Sequence, residues 1–262
     1  MACSCFAHIE VLDVNLRLLS YNIHKGFSPW NRKFVLHSIK DSVRLTHADV
    51  VFLQEVQGQH NKKSIEIKDW PEQSQFEYLA DSIWPHYAYG KNALYIDGHH
   101  GNAILSRFPI LKWENIDIST NRLEQRGLLH ATLELPDGCP PLHAICLHLD
   151  LLEKGRRQQV EDIISRIEEH IPEHEPLILA GDFNDWSGGV ASEIERRLHV
   201  HDVFWAQNGR YAKSFPSWWP VLALDRIYCR GLEIIGGQTL HGMPWRGLSD
   251  HCALLAEVSI IK

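Results

Sequence analysis

Residues 177–186, LILAGDFNDW, constrain this chain more than any other stretch. Leu177, Ile178, Leu179 and Ala180 form a short continuous apolar run, the pattern of a strand buried on both faces. Gly181 ends it, and Asp182, Asn184 and Asp185 then crowd oxygen-bearing side chains together. A carboxylate at a buried strand end needs a partner or a solvated cleft. Asp182 and Asn184 lie two apart, so an extended backbone turns them to one side. An acceptor-only group beside a donor–acceptor group suits a water and a phosphoryl oxygen. An Asx turn closing a strand accounts for the same residues.

Apolar runs that meet polar residues recur along the chain. Residues 16–21 read as a strand running into Asn22, Ile23, His24, Lys25 and Gly26. Residues 32–47 carry Val35, Leu36, Ile39 and Val43 at helical spacing. Asp49 opens a second buried strand, 50–53, which ends in Gln54 and Glu55. Strand, helix and strand make a crossover unit, with Asn22 and Glu55 both at carboxyl-terminal strand ends. Residues 57–71 are polar and irregular, a long loop, and 76–84 form a short helix. Residues 87–96 and 101–108 resemble neighbouring strands joined by Asp97, Gly98, His99 and His100. A second pair, 128–135 and 142–147, turns at Pro136, Asp137 and Gly138. Residues 153–171 are the strongest helix, with Val160, Ile163, Ile164 and Ile167 on one stripe and Pro172 as its stop. A short helix near 191–198, an aromatic loop around 214–220 and strands at 224–229 and 253–261 complete the reading. No repeat or linker interrupts it, so one domain over 1–262 is expected, with 1–14 as an N-terminal extension.

A chain of 262 residues is long enough for one large α/β or layered β domain. The formal net charge of −7 argues against a generic nucleic-acid binder, whose footprint is basic. Of the six cysteines only Cys3 and Cys5 are close in sequence, and no second close pair completes a zinc site. Cys146, Cys229 and Cys252 lie in apolar strand-like runs as buried free thiols, so a reduced, cytoplasmic compartment is expected. The N-terminus lacks a basic and a long apolar region, and no stretch approaches the roughly 18 apolar residues of a membrane span. Acylation at Cys3 and Cys5 is the alternative route to a membrane.

The strings LLSYNIHKG, VVFLQEV, GNAILSRFPI, LHAICLHLD, LILAGDFND, LDRIY and LSDH hold Asn22, Glu55, Asn102, Arg107, His148, Asp182, Asn184, Asp225, Asp250 and His251. In this order, over residues 16–256, they resemble the endonuclease/exonuclease/phosphatase superfamily, the deoxyribonuclease-I-like metal-dependent phosphoesterases. The likeness is greatest to bacterial proteins of about this length described as metal-dependent hydrolases. The resemblance implies a four-layer α/β sandwich, two mixed sheets face to face with helices outside. The residue pattern alone leaves a doubly wound sheet open.

The resemblance also implies roles. Glu55 is the principal Mg²⁺ or Mn²⁺ ligand, a hard ion that takes one or two carboxylates and keeps waters. Asn22 and Asp250 lie close to the ion or its waters. Asp182 orients and deprotonates the attacking water, while Asn184 and His148 donate to phosphoryl oxygens. His251 does the same or serves as acid or base, its tautomer set by Asp225. Arg107 and Asn102 contact the substrate phosphate, with a structural ion pair as the other reading for Arg107. His24 stands where abasic-site endonucleases of the superfamily carry an Asp, which counts against DNA repair. His99 and His100 reach the site mouth or are plain loop residues. Phe215, Trp218, Trp219 and Trp245 line an apolar part of the pocket or buttress Asp225.

The leading expectation is a monomeric phosphodiesterase or phosphatase acting on a small-molecule or lipid-derived phosphoester. A nuclease on DNA or RNA is the alternative, with Lys25, Arg32, Lys33, Lys62, Lys63 and Lys68 as a phosphate track. A non-catalytic binding module needs no such set of polar positions.

Overall fold

The computed structural model describes residues 14–121, 124–136 and 138–260. Cys3, Cys5, Asp137 and all of the expected N-terminal extension except Val14 lie outside the described residues. In chain order the first half runs β1 (Asn15–Asn22), α1 (Leu36–Leu45), β2 (Val50–His60), α2 (Lys63–Glu66), α3 (Gln75–Ala80), β3 (His86–Tyr95), β4 (Gly98–Ser106), β5 (Ile110–Asp117) and β6 (Gly127–Leu133). The second half runs β7 (Leu142–His148), α4 (Glu153–His170), β8 (Leu177–Asp182), α5 (Ala191–Leu198), β9 (His201–Asp202), α6 (Val203–Asn208), β10 (Asp225–Arg230), β11 (Leu232–Leu240) and β12 (Ala253–Ile260).

The strands form two six-stranded mixed sheets, in the orders β11-β12-β1-β2-β4-β3 and β5-β6-β7-β8-β10-β9. Each sheet holds a parallel pair, β1 with β2 and β7 with β8. Parallel neighbours need a crossover connection, and α1 and α4 supply the two. Period-2 alternation sorts side chains between layers. Leu16 and Leu18 of β1 face the other sheet, against a core that includes Ala144, Cys146, Ile178 and Ala180. Leu19 and Tyr21 face outward onto Leu36, Ile39 and Val43 of α1. Beyond the second sheet, Val160, Ile163, Ile164 and Ile167 of α4 cover Ile145, Leu147, Leu177 and Leu179. The result is helix, sheet, sheet, helix: the expected sandwich. Its two parallel pairs place Asn22, His148 and Asp182 at carboxyl-terminal strand ends, with Gln54 beside Asn22 and His148 beside Asp182. Crevices outside such ends are where open α/β sheets bind ligands. Among the described residues no helix is long and apolar enough to cross a membrane.

Several element boundaries differ from the sequence reading. Helix α1 starts at Leu36 because residues before it close a small hairpin. Phe27 there bridges Phe34, and the Ser28 N–H donates to the Lys33 carbonyl at 2.9 Å. Strand β2 does not end at Glu55. It takes a positive φ of 55° there, shifts register between Leu53 and Val56, and continues to His60 against Gly98, His99 and His100 of β4. A bulge breaks alternation, so the polar second half of β2 reads as loop in sequence. Strands β5 and β11 went unanticipated, and both lie at sheet edges. In β11 a register shift between Ile234 and Gly236 removes the periodic signal.

Phe52 is fully buried between the sheets, so Phe52→Ala should lower the unfolding free energy by about 3–5 kcal/mol. Leu45→Ala, at a position 67% exposed, should stay within about 0.5 kcal/mol of the parent. Urea melts followed by circular dichroism check both.

Candidate active site

Asp182 closes β8, and its two carboxylate oxygens gather polar groups from both sheets. Oδ1 accepts the Asn184 N–H at 3.0 Å. Oδ2 accepts from Asn22 Nδ2 of the opposite sheet at 3.1 Å. His148 Nε2 lies 3.5 Å and His251 Nε2 3.7 Å from that same Oδ2. The sequence places these groups by register: Asp182 pairs with His148 on one side and with Asp225 on the other. Asp182 is 1% exposed. Burial raises its pKa, with the Asp225 charge adding to burial and His251 opposing it.

His251 is the counterweight. Its Nδ1–H donates to Asp225 Oδ2 at 2.8 Å. Burial disfavours the imidazolium, yet Asp225 and Asp182 together outweigh it and push His251 up to about 10. The protonated ring therefore holds one N–H on Asp225 and aims the other toward Asp182. His148 behaves oppositely: burial and the nearby Arg126 charge hold it well below the usual imidazole range, so it is neutral. Two histidines beside one carboxylate thus carry different charges, set by environment.

A second carboxylate group stands beside this one. Lys25 Nζ lies 2.7 Å from Glu55 Oε2. His24 Nδ1 lies 3.9 Å from that oxygen and 3.4 Å from Asp250 Oδ1. Burial alone would raise Glu55, but Lys25 first and His148 next hold it well below the ordinary carboxylate range. The backbone is strained to present these groups: His24, Lys25, Glu55 and Asn184 have φ of 45°, 58°, 55° and 50°. Non-glycine residues rarely adopt positive φ, and such outliers cluster at functional sites. Ser249 fastens the Asp250 segment by donating its hydroxyl to the Asn22 carbonyl at 2.7 Å.

The structure brings Asn22, Glu55, His148, Asp182, Asn184, Asp225, Asp250 and His251 to one end of the sandwich. It does not bring Arg107 there. Arg107 follows Ser106, which pairs with Val50 at the opposite end of β2, and its guanidinium meets Asp49 at 3.1 Å. The structural ion pair is the reading that holds for it, and a phosphate contact is excluded by position. Asn102 is near the site, but its amide nitrogen bridges to the Gly127 carbonyl at 3.1 Å and the Cys146 carbonyl at 3.4 Å. Its donors tie the sheets together, so they are committed away from a substrate. Asn184 spends one donor on the Leu149 carbonyl at 2.9 Å and keeps the second. Sequence reasoning missed Lys25 as a partner of Glu55, and it missed Arg126, whose charge reaches His148 and His100. His100 is pushed down to about 4 by burial and Lys25. The Lys25 signal was present in the chain, one residue from the anomalous His24.

Two sets of side chains compete as cation ligands. Among the described residues, Asp182, Asp225 and His251 form a group of three whose ligand atoms lie within 4.8 Å of one another. The His251–Asp225 hydrogen bond already uses one ring nitrogen there, and an imidazolium repels a cation. Glu55, Asp250 and the Asn22 oxygen offer hard oxygen donors of the kind Mg²⁺ takes. His24 Nε2 is buried beside them without a hydrogen-bond partner. This second set fits a hard divalent ion better. Lys25 then stands where it neutralises Glu55 whenever no metal does.

The profile of the Endonuclease/Exonuclease/phosphatase family matches residues 19–251. YbhP of Escherichia coli strain K12 is 40% identical over 251 residues, 96% of this chain and 99% of that protein. An endonuclease/exonuclease/phosphatase from Beutenbergia cavernae superposes with a TM-score of 0.76 at 18% identity, covering 94% of this chain and 72% of the other. The human Nocturnin catalytic domain, solved with a bound sulfate anion, superposes with a TM-score of 0.74 at 18% identity, covering 94% of each chain.

If Asp225 sustains the His251 imidazolium, Asp225→Asn should lower the His251 pKa clearly from about 10. Removing the negative charge destabilises the cation, so the ring loses its proton at lower pH. Histidine Cε1–H shifts in an NMR titration of chelator-treated protein check this. An unmoved titration contradicts it.

Proposed function

The chain belongs to the endonuclease/exonuclease/phosphatase family of phosphoester hydrolases, and from that premise we propose that it hydrolyses a small-molecule or lipid-derived phosphodiester or phosphomonoester. The observation that carries the reading is the single oxygen Asp182 Oδ2, met by Asn22, His148 and His251 from both sheets. Its raised pKa suits a base that must accept a proton from water near neutral pH. His251 holds its proton too firmly to release it easily, which favours a fixed positive charge facing the phosphoryl oxygens. Neutral His148 and the free N–H of Asn184 add uncharged donors to the same oxygens. Asp225 positions His251 and touches no substrate atom in this scheme.

Members of this family depend in general on divalent metal. Mg²⁺ or Mn²⁺ would be held by Glu55, with Asp250 and Asn22, and would supply charge neutralisation at the phosphoryl group. Lys25 keeps Glu55 ionised for that purpose. Duplex DNA is the disfavoured substrate: affinity for it comes largely from Lys and Arg, and here 26 basic residues face 33 acidic ones.

A panel of phosphoesters, assayed with and without chelator, tests the reading. Small diesters or monoesters should turn over with added Mg²⁺ or Mn²⁺, and duplex DNA should be poor. Glu55→Gln should cost at least about a hundredfold in rate at limiting metal, the scale seen when one strong electrostatic contact is removed. Full activity in that variant removes Glu55 from the site. Asp182→Asn and His251→Ala should be non-additive, the double variant little worse than the poorer single one. Losses that multiply would assign the two residues to separate steps.

A further inference from the structure

Two exposed tryptophans meet at the rim of the proposed site. Trp30 and Trp218 have ring centroids 4.7 Å apart with planes 33° apart, and they are 65% and 52% exposed. Each stands on a loop tied directly to the site. Ser217, one residue before Trp218, donates its N–H to the Asp250 carbonyl at 2.7 Å and its hydroxyl to the Ser249 carbonyl at 2.6 Å. Trp30 caps the Phe27–Phe34 hairpin, which follows directly on His24 and Lys25 and is closed by Ser28 N–H to the Lys33 carbonyl at 2.9 Å. The backbone strain seen at His24 and Lys25 extends to the tip, where Trp30 and Asn31 have φ of 62° and 55°. A bulky residue at positive φ is a true outlier. Water-exposed indoles held on a strained, tethered hairpin gain nothing from core burial, which points to a ligand as their purpose. The guanidinium of Arg32 lies 4.9 Å from the Trp30 ring centre, and Lys33 follows it, so the facet is both planar and cationic.

We infer that Trp30 and Trp218 form an aromatic clasp in which Trp30, packed against Trp218 and overlaid by Arg32, backs the exposed Trp218 ring, and that this ring stacks the planar ring of a phosphoester leaving group, selecting nucleoside-type phosphoesters over ringless ones. This rests on the phosphoesterase reading and deepens it. A planar base matches flat indole faces, and an anion beside the base matches Arg32 and Lys33. An acyl chain would use apolar area but has no need of stacked rings. Stacking of a base on an aromatic side chain is worth about tenfold or more in affinity.

Calorimetric titration of the Mg²⁺-loaded protein with adenosine 5′-monophosphate and with ribose 5-phosphate tests the clasp. The ringed ligand should bind at least about tenfold tighter. That ratio should fall toward one in Trp30→Leu/Trp218→Leu and persist in Trp113→Leu, an exposed tryptophan on β5. Equal affinities in the parent, no binding of either ligand, or an unchanged ratio in the double variant overturns the clasp. Binding to anionic vesicles that the double variant loses, in place of nucleotide preference, assigns the facet to a membrane and overturns it as well. Chelator-sensitive hydrolysis of a simple diester is measured in parallel. Its presence beside a failed ratio refutes the clasp alone, and its absence refutes the catalytic reading beneath.

Discussion

Four carboxylates, Glu55, Asp182, Asp225 and Asp250, share one end of the sandwich, and the site depends on how their negative charge is met. Two of them, Asp182 and Asp225, are 1% exposed. Buried ions without partners are too costly to persist. The chain answers with two cations placed differently: the His251 imidazolium between Asp225 and Asp182, and Lys25 on Glu55. The first is enclosed and, pushed up to about 10, keeps its proton near neutral pH. The second lies on a half-exposed lysine, which a stronger cation can displace. On the proposed function, this division separates a proton-handling group from an ion-holding group within one cleft.

The geometry has a cost, borne by the rest of the fold. Positive φ at His24, Lys25, Glu55 and Asn184 amounts to about 1–3 kcal/mol at each position. Such strain persists only where the surroundings over-determine it. Here the bulge at Glu55 is flanked by fully buried Leu53 and Val56, and Asn184 is fixed through Leu149 and Asp182. The two parallel pairs matter for the same reason. They aim strand ends from different sheets at one another, and the Asn22–Asp182 hydrogen bond closes the gap.

Much of this was legible in the chain. The run 177–182 reads directly as a buried strand from its apolar continuity, while the carboxylate at its end reads equally as an Asx turn until the other polar strand ends are set beside it. Helices α1 and α4 were visible from their apolar stripes. What escaped were features without local period: the bulged half of β2, and the edge strands β5 and β11, where solvent on one side relaxes the apolar requirement. Of the two readings of Arg107, the phosphate contact fails for a related reason. Arg107 sits in a family-like string, but a string does not say which end of the strand its last residue occupies. Lys25 was noted as a basic residue, and only the turn at His24 brings it back onto Glu55.

The central claim is the division of labour between the two carboxylate groups. The most direct test is a crystal structure grown with Mn²⁺, with anomalous scattering used to locate the ion. The account predicts a peak beside Glu55 and Asp250, with Lys25 Nζ moved off Glu55 and the His251–Asp225 hydrogen bond intact. A peak enclosed by Asp182, Asp225 and His251, with Lys25 still on Glu55, would contradict it.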